Sequence, residues 1–106
     1  MVIRLFLSAV APSDADEVLR LFSEDVVPAF TAHPDCLGVE LIMSTEPGPD
    51  GMIEGGALTR WTSVEAMEAA LAAEALRASQ VRIRELLRKE PIRKVYEVRA
   101  GTTDAD

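Results

Sequence analysis

Cysteine is almost absent: Cys36 stands alone in 106 residues. No intramolecular disulfide can staple the chain, and no Cys/His cluster can form a zinc site. A lone thiol suits a reducing compartment, so a cytoplasmic location is expected. Aromatic residues are scarce too, with only Phe6, Phe22, Phe30, Trp61 and Tyr96. That is too few for a platform that stacks nucleic-acid bases. Basic side chains number 11 against 18 acidic ones, for a formal net charge of −7, which opposes a nucleic-acid partner. No stretch approaches the ~18 apolar residues of a spanning helix, so no membrane partner is expected. Residues 1–12 offer a basic residue, an apolar run and an Ala9-x-Ala11 triplet, the outline of a signal peptide. The run is short and Pro12 would follow the scissile bond, so a mature strand is expected there. A Gly-rich phosphate loop, a paired-carboxylate site and a Ser/His/Asp set are all missing. No cofactor and no metal ion is expected.

Apolar residues make up 48% of the chain. At this length they allow one two-layer core, over residues 1–100, with a small acidic tail at 101–106. Residues 2–10 read as a central strand because both faces are apolar: Val2, Phe6 and Val10 on one, Ile3, Leu5, Leu7 and Ala9 on the other. Ser13 and Asp16 make an acidic capping box for a helix whose apolar stripe is Val18, Leu19, Phe22, Val26 and Phe30, the spacing of a helix lying on a sheet. Pro28 should weaken that helix and His33-Pro34 should end it. Residues 39–44 make a second strand, the turn-rich 46–51 segment closes a hairpin, and a third strand runs from about 52 to 61. Gly55-Gly56 within it signals a bulge or a close backbone approach. Thr62 and Glu65 make a second capping box, opening a helical stretch over 64–89 that should break near 73–75. Pro91 ends it, and 92–98 is the last strand.

The order strand, helix, strand, strand, helix, strand predicts an α+β, ferredoxin-like βαββαβ sandwich with an antiparallel sheet. Its two helices cover one face only. Three strands carry apolar side chains on both faces, so the open face calls for a second copy of the chain. The expected unit is a homodimer joined through the open sheet faces, a dimeric α+β barrel.

Charge is unevenly spread. Residues 1–74 hold 3 basic and 13 acidic side chains, and residues 75–99 hold 8 basic and 3 acidic ones. Arg77, Arg82, Arg84, Arg88 and Lys89 form a basic island, read either as a solvated face near a helix C-terminus or as an anion-attracting surface.

Three segments, His33-Pro34-Asp35-Cys36-Leu37-Gly38-Val39-Glu40-Leu41, Arg60-Trp61-Thr62-Ser63-Val64-Glu65-Ala66-Met67 and Val95-Tyr96-Glu97-Val98, resemble the antibiotic biosynthesis monooxygenase (ABM) domain family. The resemblance covers residues 2–99. It implies a dimeric α+β barrel and an activity among cofactor-free monooxygenases of quinols and polyketide aromatics, haem-degrading enzymes and members without an assigned reaction. In the aromatic-polyketide branch a pocket Asn lies four residues before the strand-three Trp. Trp61 matches that Trp, but Ala57 stands where the Asn would be, and Tyr96 is the only tyrosine. In the haem-degrading branch a Trp and a His lie ten residues apart on the second helix; those positions hold Ala70 and Gln80, against haem degradation by that arrangement.

The resemblance therefore points to a cofactor-independent monooxygenase acting on a small hydrophobic phenol- or quinol-like molecule. The alternative is a non-catalytic dimeric module of the same fold that binds a small apolar ligand or serves assembly. His33 is the candidate base, because its ordinary pKa is near neutrality and oxygen reacts with an electron-rich substrate anion. Trp61 is the second catalytic candidate, with an indole N–H that can reach a substrate oxygen, or else a core aromatic. Phe22, Met43, Ala57, Met67 and Leu71 are the expected substrate-binding lining. Arg60 should point to the opposite face from Trp61 as an ion-pair residue, and Cys36 should be a small buried hydrophobe.

Overall fold

The computed structural model describes residues Met1–Gly101. Four strands, β1 (Val2–Val10), β2 (Cys36–Met43), β3 (Ile53–Trp61) and β4 (Ile92–Glu97), make one sheet in the order β2-β3-β1-β4. Every pairing is antiparallel. The expected ferredoxin-like α+β architecture is the one observed, and the expected tail lies, beyond Gly101, outside the described residues.

β1 is central, as its two apolar faces require. It pairs with β3 along its whole length, from Val2 opposite Trp61 to Val10 opposite Ile53, and with β4 from Val2 to Leu7. Alternation sends Val2, Arg4, Phe6, Ser8 and Val10 to the helical side. Gly55-Gly56 makes no bulge, since this register is unbroken. It marks a close approach instead: a Cβ on Gly56 would lie 1.7 Å from the Phe6 carbonyl oxygen. The irregularity falls in β2, between Cys36 and Gly38.

The first helical layer is a 3-10 turn at Pro12–Asp14, α1 (Ala15–Leu21), a π-type turn (Phe22–Val26) and α2 (Val27–Thr31). Ser13 makes no cap; Asp14 N–H bonds the Ala11 carbonyl at 2.9 Å and the chain enters through Pro12. The wide turn answers Pro28. With no N–H there, the ladder slips and Val27 N–H reaches back five residues to the Phe22 carbonyl.

The second layer is α3 (Val64–Leu71), α4 (Glu74–Ser79) and α5 (Val81–Arg84). The expected break is there, at extended Ala73, and another falls at Gln80, so helix ends at Arg84 instead of residue 89. The α3 cap is Ser63, one residue later than expected, and its Oγ accepts from Ala66 N–H at 3.1 Å. Thr62 is drawn elsewhere, its hydroxyl donating to Asp35 Oδ1 at 2.9 Å and so tying β3 to the loop before β2. After α5 the chain is pinned to β1: Arg88 N–H bonds the Ala9 carbonyl at 2.8 Å and the Ser8 hydroxyl bonds the Lys89 carbonyl at 2.6 Å.

The core lies between sheet and helices, built on Val2, Phe22, Val26, Phe30, Trp61, Met67, Ala70 and Leu76. The other sheet face carries Ile3, Leu5, Leu7 and Leu58, with Ile42, Ile92 and Tyr96 exposed among them. No helix of the described residues is long and apolar enough to cross a membrane.

Candidate functional site

Between sheet and helices lies a cavity of about 60 Å³, open on one side. Small residues on β3 create it. Ala57 sits opposite Phe6, and Gly55 leaves the next helix-facing position without a side chain. Phe22, Val26 and Phe30 close it from the first helical layer, and Leu41 and Met43 close it along β2. The break at Gln80 lets α5 turn away, so that Ile83 and Leu87 cover the cavity while Gln80 and Arg84 reach its wall.

Three polar side chains line this apolar space: Arg4, Gln80 and Arg84. Gln80 is fixed at both ends. Its Nε2 donates to the Leu76 carbonyl at 3.1 Å, and its Oε1 accepts from Arg84 Nη2 at 3.2 Å. Arg84 is thereby held over the Phe6 ring, 5.4 Å from the centroid, with Arg4 at 5.7 Å and Arg93 of β4 at 5.2 Å. Burial, with Arg93 and Arg84 close by, pulls Arg4 below the ordinary arginine value. No Asp, Glu, His, Lys or Tyr is among the lining residues, and the described residues hold no group of acidic, His and Cys side chains able to bind a metal ion.

The expected site residues divide. Phe22, Met43 and Ala57 line the cavity. Met67 and Leu71 do not: they belong to the core at the other end of the sheet, around Trp61. Trp61 itself is 0% exposed and outside the lining. Its indole N–H is spent on Thr59 Oγ1 at 2.8 Å, and its ring packs against Phe30 at 6.0 Å and 55°. It therefore does not wall this cavity and acts from behind, as the support of Phe30. His33 sits in the turn after α2, also outside the lining.

Arg60 pairs with Glu40 at 2.6 Å on the open face, where alternation puts it. Cys36 is half-buried beside the core, and burial pushes its thiol pKa up, which suits an inert packing residue. In the sequence, an ionisation near neutrality singles out His33, and an indole N–H at the end of the third strand singles out Trp61. The groups that do enter the cavity, Arg4, Gln80 and Arg84, come from strand β1 and from either side of a helix break. Arg4 carries the one usable signal in sequence, a charge on the buried face of a central strand.

No family model and no curated protein matches this chain. Solved structures do. A crystal structure of an antibiotic biosynthesis monooxygenase superposes with a TM-score of 0.72 at 19% identity, covering 94% of this chain and 100% of that one. SnoaB of Streptomyces nogalater, a cofactor-independent oxygenase solved as a single-substitution mutant, gives 0.69 at 20% identity, covering 94% of each chain. A conserved protein of Methanosarcina mazei gives 0.70 at 15% identity, covering 93% of this chain and 94% of that one. The chain thus has the ferredoxin-like α+β fold of proteins named antibiotic biosynthesis monooxygenases.

Proposed function

We propose that the chain belongs to the ABM family and is a cofactor-independent monooxygenase of a small phenol- or quinol-like molecule. The observation that carries this reading is the cavity: largely apolar, and entered by Arg4, Gln80 and Arg84 alone among polar side chains. Oxygen reacts with the anion of such a substrate. Positive charge at the cavity wall, from half-buried Arg4 and exposed Arg84, favours that anion over the neutral form and lowers the substrate's pKa, which does part of the work of a base. Without a cofactor, all four electrons that reduce O2 come from the substrate. An activated CH2 becomes C=O, one oxygen atom entering the product and the other leaving as water with the two hydrogens. About 60 Å³ is less than half of the ~150 Å³ cavity that holds a benzene, so a ring enters as flexible Met43 and Leu87 move aside.

Oxygen uptake tests this. A panel of quinols and enolisable phenols in metal-free, flavin-free buffer is expected to give uptake that Arg84→Gln lowers tenfold or more, while His33→Ala, remote from the cavity, changes it less than about twofold. Silence across the panel would remove the reading. The lack of an acid or base in the lining favours a second reading, a ligand-binding module without turnover, for which binding persists and uptake is nil.

The acting unit we propose is a homodimer in which the open faces, with Ile3, Leu5 and Leu7 at their centre, cover one another; exposed Ile42, Ile92 and Tyr96 extend a patch that a monomer would leave in water. Light scattering at micromolar concentration should return twice the 11.5 kDa chain mass, and Leu5→Glu should halve it. A wild-type monomer refutes the pairing.

A further inference from the structure

Most basic side chains on this acidic molecule are ion-paired, and most of those that are not lie together. Of its 11 arginines and lysines, only Arg4, Arg84, Arg93 and Lys94 lack a carboxylate partner among the described residues. Three of these four meet around the ring of Phe6, at the cavity mouth. Each guanidinium lies under 6 Å from one centroid, so any two are separated by little more than a Debye length, ~8–10 Å at physiological salt. Arg4 is half-buried, where water screens the repulsion poorly. A chain with 18 carboxylates puts none of the described ones here. Arg84 and Arg93 are exposed, so the three like charges meet where an anion from solvent can join them and relieve their repulsion.

We infer that Arg4, Arg84 and Arg93 form an anion-binding subsite at the cavity mouth, and that the ligand is amphiphilic, an apolar body in the cavity with a carboxylate or phosphate in the arginine cluster. The proposal rests on the reading of the cavity as the ligand site, but not on oxygen chemistry. Guanidinium forks match both groups through paired N–H donors. The Gln80 bond to Arg84 fixes one fork in advance, and the Phe6 face beneath them keeps all three side chains from folding away.

Calorimetric titration with three probes, benzoate, phenyl phosphate and benzyl alcohol, tests this at low salt. Either anion should bind at least tenfold tighter than the alcohol, and the stronger of the two identifies the head group. Raising NaCl to 0.5 M should remove most of the preference. Arg84→Gln and Arg93→Gln should each weaken the anion fivefold or more and leave the alcohol unchanged, with an unliganded melting temperature equal to wild type or above it. Equal affinity for the anions and the alcohol, or wild-type anion binding by the double variant, overturns the subsite. So does a lower melting temperature in both single variants with anion binding intact, because the arginines would then be serving the fold alone. Anion binding without oxygen uptake would retain the subsite and remove only the oxygenase reading.

Discussion

Gly56→Ala is expected to lower the melting temperature by ~12 °C or more. The added Cβ would sit 1.7 Å from the Phe6 carbonyl oxygen, 2.7 Å from the Phe6 carbonyl carbon and 3.0 Å from Leu7 Cα. All three are backbone atoms, so no side chain can turn aside to make room. They belong to β1, which is hydrogen-bonded on both edges; relief at Phe6 therefore strains the pairing with β3 and β4 together. Overpacking in a side-chain core costs about 1–3 kcal/mol, and a clash confined to backbone should exceed that range. At ~4–8 °C per kcal/mol for a domain of this size, 3 kcal/mol gives the stated fall. Gly38→Ala is the control, because nothing lies within 4 Å of its Cβ. Circular-dichroism melts decide it: a Gly56→Ala midpoint within about 3 °C of wild type shows that the strands part cheaply.

That close approach also shows where reading the sequence stops. Two glycines inside a strand signal either a bulge or a neighbouring backbone, and only the partner strand chooses between them. The order of elements was legible because it is written in period: two-residue alternation in β1, and three- to four-residue spacing from Val18 to Phe30. Helix starts were legible to within a residue. Ser63 and not Thr62 caps α3, because Asp35, distant in sequence, claims the Thr62 hydroxyl. Ser13 caps nothing because Pro12 has already set the turn.

The site was legible only in part, for a related reason. Phe22, Met43 and Ala57 do line the cavity, because they lie on the helix-facing sides of their elements, and such faces follow from spacing. The arginine cluster was not found, because its members are at positions 4, 84 and 93. The basic island from Arg77 to Lys89 looked like the place for an anion. In space Arg77, Arg82, Arg88 and Lys89 are met by Glu74, Asp25, Asp14 and Asp50, and only Arg84 is left over. A run of charge along the chain is thus not a concentration of charge in the fold, and the net −7 of the sequence hides a positive mouth on the cavity. A cavity between sheet and helices was expected, but not its position: it lies where Gly55 and Ala57 lack bulk, away from His33 and Trp61.

Trp61→Ala is the second change with a large expected effect, a loss of at least ~4 kcal/mol, read in a urea or thermal melt. Truncating a buried Phe or Trp to alanine costs about 3–5 kcal/mol, and Trp61 is fully buried where β1, β2 and β3 meet, opposite both Val2 and Cys36. A further ~1–3 kcal/mol comes from Thr59, 1% exposed, whose hydroxyl loses the indole N–H that donates to it. Trp61→Phe separates the two contributions, keeping most of the apolar volume and removing the donor, for an expected loss of ~1–3 kcal/mol. Thr59→Val in that background should restore part of it, since no buried oxygen is then left without a partner. Phe30 joins this stability argument to the site. It rests on the Trp61 ring and lines the cavity, so Trp61→Phe should also weaken binding of the neutral probe benzyl alcohol while the salt dependence of benzoate binding stays as in wild type. If the phenylalanine variant loses as much stability as the alanine variant, the bond to Thr59 dominates. If the alanine variant loses under about 1 kcal/mol, Trp61 is not the keystone of the core and the support of Phe30 must come from elsewhere.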